Sequence, residues 1–325
     1  MSKPPQAGLA DRLLDLAIAP GFSKLGYAAR QRGFARLPDA TGREVVITGA
    51  SAGLGRAAAR MCAEAGASVT MVSRDRGRAE GALAEVRAAS TGGEVRFEEC
   101  DMSILSDVRR LAAVLDASLQ RVDALVLNAG VLLHERTKTA DGIETAWATN
   151  VVGPYLLEEL LLSQLQAAKG RVVMVTSGGA YSEGLALPDV DFAGDSYDGA
   201  AVYARTKRAQ IALAQLEAER DPTRGITSHA VHPGWADTPG VQTSLPTFRK
   251  LTRPFLRSAD EGADSIAWLA LAPEPATSPG LLWHDRKPRP RNRIPGQADT
   301  EIQRLELDAE IRRLAGLTVR PPGRG

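Results

Sequence analysis

From residue 43 onward, short β-branched apolar runs alternate with longer stretches rich in Ala and Leu. The runs Val45–Thr48, Val69–Val72, Val95–Glu98, Ala124–Leu127, Val172–Thr176 and Thr227–Val231 have the length and composition of buried strands. Between them apolar residues recur at helical spacing near 54–65, 75–90, 104–119, 143–168 and 201–221, and a further helix is expected over 259–272. This alternation predicts an α/β fold, a single doubly wound parallel sheet with helices on both faces. The same pattern divides the chain into an N-terminal helical extension (1–40), a sheet domain (41–285) and a basic C-terminal tail with a short helix (286–325). In the extension Leu9, Leu13, Leu14, Leu16, Ala17 and Ile18 share a helical face, and Pro20-Gly21 is expected to end that helix. Asp11 and Asp15 deny it a strong basic face, which favours packing on its own domain over a membrane. The tail run Asp285-Arg-Lys-Pro-Arg-Pro-Arg-Asn-Arg293 is extended by its prolines. It lacks the interleaved aromatics of a nucleic-acid surface and reads as a solvated strand, followed by a helix near 298–315.

Composition narrows the function classes. The 325 residues carry a formal net charge of only +1, so nothing asks for a polyanionic partner. Two cysteines, Cys62 and Cys100, cannot build a disulfide framework, and with four histidines in no metal-ligand spacing no metal site is expected. No apolar run reaches the ~18 residues of a spanning helix. The start, MSKPPQAGLADRLL, lacks the pattern of a secretory signal. The expectation is a cytoplasmic protein without metal, nucleic acid or transmembrane segment, self-association being left open.

The chemistry gathers at loops after the strands. Thr48-Gly-Ala-Ser-Ala-Gly-Leu-Gly55 follows the first strand and opens a helix, the setting of a dinucleotide-phosphate turn. Gly49 permits the tight turn, Gly53 lets backbone approach a pyrophosphate, and Gly55 lets helix pack on strand. Anionic charge then sits at a helix N-terminus, with Ser51 as an added donor. Further along come Asn128-Ala-Gly130 after the fourth strand, Ser177 at the end of the fifth, Tyr203-Ala-Arg-Thr-Lys207 on the next helix, and His232-Pro-Gly234 after the sixth.

With its G-x-x-x-G-x-G spacing, this series resembles the short-chain dehydrogenase/reductase family over roughly residues 40–285. Val202–Arg208, His232–Val241 and Trp283-His-Asp-Arg-Lys-Pro288 are similar to its dehydrogenase/reductase member 12 branch, beside the retinol-dehydrogenase-like reductases. The resemblance implies a Rossmann-type fold and a nicotinamide cofactor held by Gly49, Ser51, Gly53, Leu54 and Gly55. It adds Asp101 at the adenine, Met102 by its backbone, Asn128, Ala129 and Gly130 along the riboses, and Pro233, Gly234, Trp235 and Thr238 at the nicotinamide side. An NAD enzyme usually carries a carboxylate at the end of the second strand. Here Ser73 holds that place and Arg74 follows, able to pair with a 2′-phosphate, while Asp75 reads as an opening residue of the next helix. NADP(H) is therefore favoured and NAD(H) stays open, particularly as Ala52 stands where some NADP-preferring relatives have a basic residue. Pairing with Asp75 is the plain structural alternative for Arg74.

Hydride transfer to a carbonyl needs a proton donor at the nascent alcohol oxygen. Tyr203 suits this if its phenol is drawn toward neutrality by Lys207, one helical turn away. By the resemblance, Lys207 also binds the nicotinamide ribose, Ser177 polarises the substrate oxygen, and the Asn150 side chain holds a water linking Lys207 to solvent. The expected function is interconversion of a carbonyl and an alcohol on a small molecule. The loop residues Trp235, Val241, Leu245, Phe248, Leu251 and Phe255 point to a lipophilic one. The alternatives are a catalytically weak NADPH-binding regulator or scaffold of the same fold, and a nucleotide-sugar enzyme, disfavoured by its glycine spacing. A serine hydrolase is disfavoured because neither Ser51 nor Ser177 sits in G-x-S-x-G.

Overall fold

Strands β1 (Glu44–Thr48), β2 (Ser68–Ser73), β3 (Val95–Glu99), β4 (Ala124–Leu127), β5 (Arg171–Val175), β6 (Thr227–Val231), β7 (Leu282–His284) and β8 (Lys287–Arg289) form one sheet. The computed structural model describes residues 11, 14, 15, 17–185, 187, 197–220, 224–294 and 296–319. Strand order is β3-β2-β1-β4-β5-β6-β7-β8, parallel throughout except for the antiparallel β7–β8 pair. The β-branched runs work because both faces are covered. Val45 and Ile47 enter one core, against the helices Gly53–Glu64, Arg76–Ala89 and Ala259–Leu271. Val46 points the other way, into a core shared with Leu105–Ser118, Gly153–Leu160 and Gly199–Arg220. Because β1 lies between β2 and β4, the chain leaves the carboxyl ends of β1 and β4 in opposite directions, opening the crevice where such sheets bind ligands.

Three expectations need correction. The helix expected over 143–168 is divided into Thr145–Trp147, a π-helical turn Ala148–Val152, Gly153–Leu160 and Leu162–Ala168. Pro20-Gly21 does not end a helix but lies inside the short helix Ile18–Phe22. Pro20 is in its first turn, where the missing N–H has no helical partner to lose. Of the expected apolar face, Leu9, Leu13 and Leu16 lie outside the described residues. The basic run after His284 is not a solvated strand. Lys287–Arg289 pairs with β7, Asp285 and Arg289 are buried, and the helix Glu301–Leu314 puts Leu307 and Ile311 into the main core.

Buried charge ties the two chain ends together. Asp285 receives hydrogen bonds from Arg30 (2.7 Å) and Arg257 (2.6 and 2.9 Å). Arg257 also donates to the Phe22 carbonyl (2.9 Å), and the Trp235 amide donates to that same carbonyl (2.9 Å). Burial resists ionisation of Asp285, but His284, Arg257 and Arg30 outweigh it and hold the carboxyl well below its ordinary range.

Candidate active site

The glycine-rich turn is built as its sequence requires. Gly49 and Gly53 have φ of 67° and 55°, the left-handed region that L side chains avoid. A Cβ on Gly55 would collide with the Gly49 carbonyl and the Asn128 amide. The helix opened by Gly53 has Ala52 at its N-cap, which offers no side-chain acceptor to the first-turn amides. Those amides fit an anionic phosphate, and nearby Gly53 faces Thr238, whose methyl group would lie 3.4 Å from a Cβ there. Thr48, which the motif reading passed over, joins β1 to β4: its hydroxyl accepts from the amides of Asn128 (3.0 Å) and Ala129 (3.1 Å). Asn128 returns the link by donating to the carbonyls of Thr48 (2.9 Å) and Gly49 (3.2 Å).

At the end of β2, Ser73 is buried and its hydroxyl donates to the Asp75 carbonyl (3.5 Å). Asp75 caps the next helix, accepting from the Arg78 amide (3.0 Å) and pairing with the Arg78 side chain (3.2 Å). Arg74 is exposed and has no ion pair among the described residues, so the Arg74–Asp75 pairing does not form. Asp101 caps no helix, and neither does Ser103. The Asp101 carboxylate accepts from the amide (2.9 Å) and hydroxyl (2.7 Å) of Ser103, and Ile104 occupies the N-cap position. Met102 is buried beside it.

Ser177, Tyr203 and Lys207 converge beyond β5. The Ser177 hydroxyl accepts from the Gly179 amide (3.2 Å) and stands close enough to the Tyr203 hydroxyl to bear on its titration. The Lys207 ammonium lies 5.5 Å from the centre of the Tyr203 ring and donates to the Val175 carbonyl (2.8 Å) and Gln210 Oε1 (3.2 Å). Gly130 abuts the group, since a Cβ there would stand 3.3 Å from both Lys207 Nζ and Asn150 Oδ1. Helical periodicity explains part of this, as residues 203, 207 and 210 share one face of the Gly199–Arg220 helix.

Electrostatics depart from the expectation in one respect. Burial raises the Tyr203 phenol above its ordinary value, and the nearby Ser177 hydroxyl only partly opposes that. Burial also brings Lys207 down to about 7, and the groups that move the phenol are its burial and Ser177 rather than Lys207. The Asn150 side chain accepts from the Val131 amide (2.8 Å) and donates to the Val131 carbonyl (3.0 Å) and Thr206 Oγ1 (3.0 Å), which fixes its orientation. A connection from Asn150 to Lys207 runs from its main-chain carbonyl through Gln210, a residue without a motif to announce it.

Opposite this group, Pro233, Gly234 and Trp235 follow β6. Gly234 has φ of 81°, and a Cβ there would meet the Arg257 side chain. The Thr238 hydroxyl caps the helix Pro239–Ser244 by accepting from the Val241 amide (3.3 Å). The covering segment is fastened by Ser244, which donates to the Leu132 carbonyl (3.1 Å), by the Asp237–Arg249 pair (2.7 Å) and by Trp235 against Phe248. Among the described residues no group of three or more His, Cys, Asp or Glu side chains is placed to hold a metal ion, and no helix is long and apolar enough to cross a membrane.

The family model described as short chain dehydrogenase matches residues 43–247. Dehydrogenase/reductase SDR family member 12 of Bos taurus is 36% identical over 276 residues, 83% of this chain and 86% of its own. Retinol dehydrogenase 12 of Homo sapiens is 33% identical over 283 residues, 85% of this chain and 88% of its own. The crystal structure of an uncharacterized protein from Mycobacterium Paratuberculosis superposes with a TM-score of 0.69 at 27% identity, covering 88% of this chain and 97% of that one. Matched by that model and by relatives of nearly equal length, the chain belongs to the short-chain dehydrogenase/reductase family and is an NAD(P)-dependent oxidoreductase acting between carbonyl and alcohol.

Proposed function

We propose that the protein uses NADP(H) to interconvert a carbonyl and an alcohol on a lipophilic small molecule, with Tyr203 transferring the proton. The observation that carries this reading is the meeting of Tyr203 with Ser177 on one side and Lys207 on the other. When bound, the nicotinamide supplies or accepts the hydride. Ser177 orients and polarises the reacting oxygen, and Tyr203, kept protonated at neutral pH by burial, hands that oxygen a proton in the reducing direction. Lys207 stands where it orients the cofactor ribose, alongside Gly130 and Asn150. The Gly49–Gly55 turn takes the pyrophosphate, Asp101 and Met102 the adenine side, Asn128 and Ala129 the riboses, and Pro233, Gly234, Trp235 and Thr238 the nicotinamide.

Cofactor choice rests on the end of β2, where Ser73 is buried, Asp75 is spent as a helix cap, and Arg74 is exposed with no ion pair among the described residues. Substrate class rests on the covering segment, whose Trp235 and Phe248 face each other while Leu251 and Phe255 stand exposed. A cytoplasmic site of action agrees with Cys62 and Cys100, both buried free thiols. The test is a panel of long-chain and short polar aldehydes, ketones and alcohols, each with NADPH or NADP and with NADH or NAD, following absorbance of the reduced nicotinamide. Turnover should be greatest for the lipophilic carbonyls with NADPH. Activity confined to short polar substrates, or greater with NADH, contradicts the reading.

A further inference from the structure

We infer that Gln210 is a positioning residue for Lys207, its carboxamide bridging the lysine ammonium and the Asn150 main-chain carbonyl. This rests on the reading of Lys207 as part of the active site. Gln210 lies on the inward face of the Gly199–Arg220 helix and is only 2% exposed. Its Oε1 accepts from Lys207 Nζ (3.2 Å), and its Nε2 donates to the Asn150 carbonyl (2.8 Å). Both ends of the amide are thus engaged by groups that belong to the site. The orientation is fixed by chemistry, since an ammonium only donates and a carbonyl only accepts. The opposite flip would set two donors and two acceptors against each other.

The consequence follows from what else surrounds the lysine. Its second acceptor is the Val175 carbonyl at the end of β5 (2.8 Å), and its titratable neighbour is Tyr203, one turn back on the same helix. Gly130 approaches from the loop after β4 and Asn150 from the π-helical turn. No carboxylate among the described residues shifts it, and burial is what lowers it, to about 7. In a site without a counter-charge, neutral acceptors decide how much of the ammonium survives. Gln210 supplies one of two. It also fixes where the ammonium sits, because the amide is held at its far end by the Asn150 backbone, itself locked by Val131 and Thr206.

A carboxamide does not pass a proton along as a water molecule does. Gln210 therefore acts by holding Lys207 in place and keeping it charged, and not as a relay. Removing its acceptor should lower Lys207 further, whereas a carboxylate in its place should raise it. A hydrogen bond to a charged group is worth roughly one to two pKa units.

The experiment is NMR titration of the full chain labelled with 13C at lysine Cε, in wild type, Gln210→Met and Gln210→Glu, with folding checked by circular dichroism. The chain has seven lysines, and among the described ones Lys207 is the one brought toward neutrality, which sets its resonance apart from theirs. Its midpoint should fall in Gln210→Met and rise in Gln210→Glu, and if one variant does not fold the other still decides. A midpoint unmoved in the folded variants overturns the inference even if Tyr203 proves essential for turnover. Conversely, moved midpoints in a protein whose turnover ignores Tyr203 would leave Gln210's link to Lys207 standing and overturn the functional reading. Steady-state kinetics supply the second readout: Gln210→Met should lower kcat for carbonyl reduction more at alkaline than at acid pH, a pH dependence that a general loss of packing would not create.

Discussion

At the scale of single residues, position in the crevice separates groups that serve the fold from groups left available to a ligand. Asp75 and Arg74 are neighbours in sequence, yet Asp75 is consumed as a helix cap while Arg74 stays exposed beside buried Ser73. A charge-assisted contact of Arg74 with a 2′-phosphate contributes about 1.5–3 kcal/mol, with exposure favouring the lower end. NADPH should then bind roughly tenfold more tightly than NADH, less so as salt rises. Replacing Ser73→Asp and Arg74→Ala together should reverse the preference, because a carboxylate repels the phosphate but accepts from unmodified ribose hydroxyls. Dissociation constants by calorimetry for both cofactors check this, and an unchanged preference in the double variant would assign the choice elsewhere. The glycine turn, Ser177, Tyr203 and Lys207 were legible in sequence because each has a fixed spacing from a strand end. Gln210 was not, since a glutamine three residues after a lysine occurs on any helix, and only the fold brings the Asn150 carbonyl to its other end. The protonation of Lys207 was equally hidden, being set by burial that no local pattern encodes.

At the scale of elements, the segment 235–258 contrasts with the sheet it covers. Prolines open each of its short helical pieces, Pro239–Ser244, Pro246–Thr252 and Arg253–Phe255. None of these pieces buries a residue, and Leu251 is 74% exposed. Its two ends are anchored, Trp235 to Phe22 and Arg257 to Phe22 and Asp285. Between them, among the described residues, the hydrogen bond that reaches outward is Ser244–Leu132, the Asp237–Arg249 pair and the Trp235–Phe248 contact lying within the segment itself. Such a segment opens locally at small cost. Its amides should exchange faster than those of β1, β4 and β5, and slow when NADPH and a turned-over substrate are both present. Hydrogen exchange followed by mass spectrometry measures this, and exchange unaffected by ligands would remove its role as a lid. The six longer strands were readable from β-branched runs. Strands β7 and β8, of three residues each, are too short for any periodicity to declare.

At the scale of the whole molecule, the chain ends are joined beneath the site. Asp285 pairs with Arg30, 255 residues away in sequence, and with Arg257, and Arg257 braces the carbonyls of Phe22 and Pro233. That distance explains why the basic run 285–293 looked like exposed tail: its partners are invisible to local reading. Asp285→Asn keeps the shape but leaves the buried Arg257 guanidinium without its counter-charge and Arg30 with Asp11 alone, a loss of about 3–5 kcal/mol. The denaturant midpoint should fall accordingly, and a change within error would show that the network is not structural.

The central claim is that this fold positions Tyr203 to move the proton in an NAD(P)-dependent carbonyl–alcohol reaction. The most direct measurement is turnover of purified Tyr203→Phe against wild type, on the best carbonyl substrate with its preferred cofactor, with cofactor affinity and thermal stability measured in the same preparations. The variant loses one hydroxyl near Ser177, so fold and cofactor binding should persist. Positioned proton transfer is worth about 10²–10⁴-fold, and kcat should fall by that factor. A folded, cofactor-binding Tyr203→Phe protein that turns over like wild type would contradict the account.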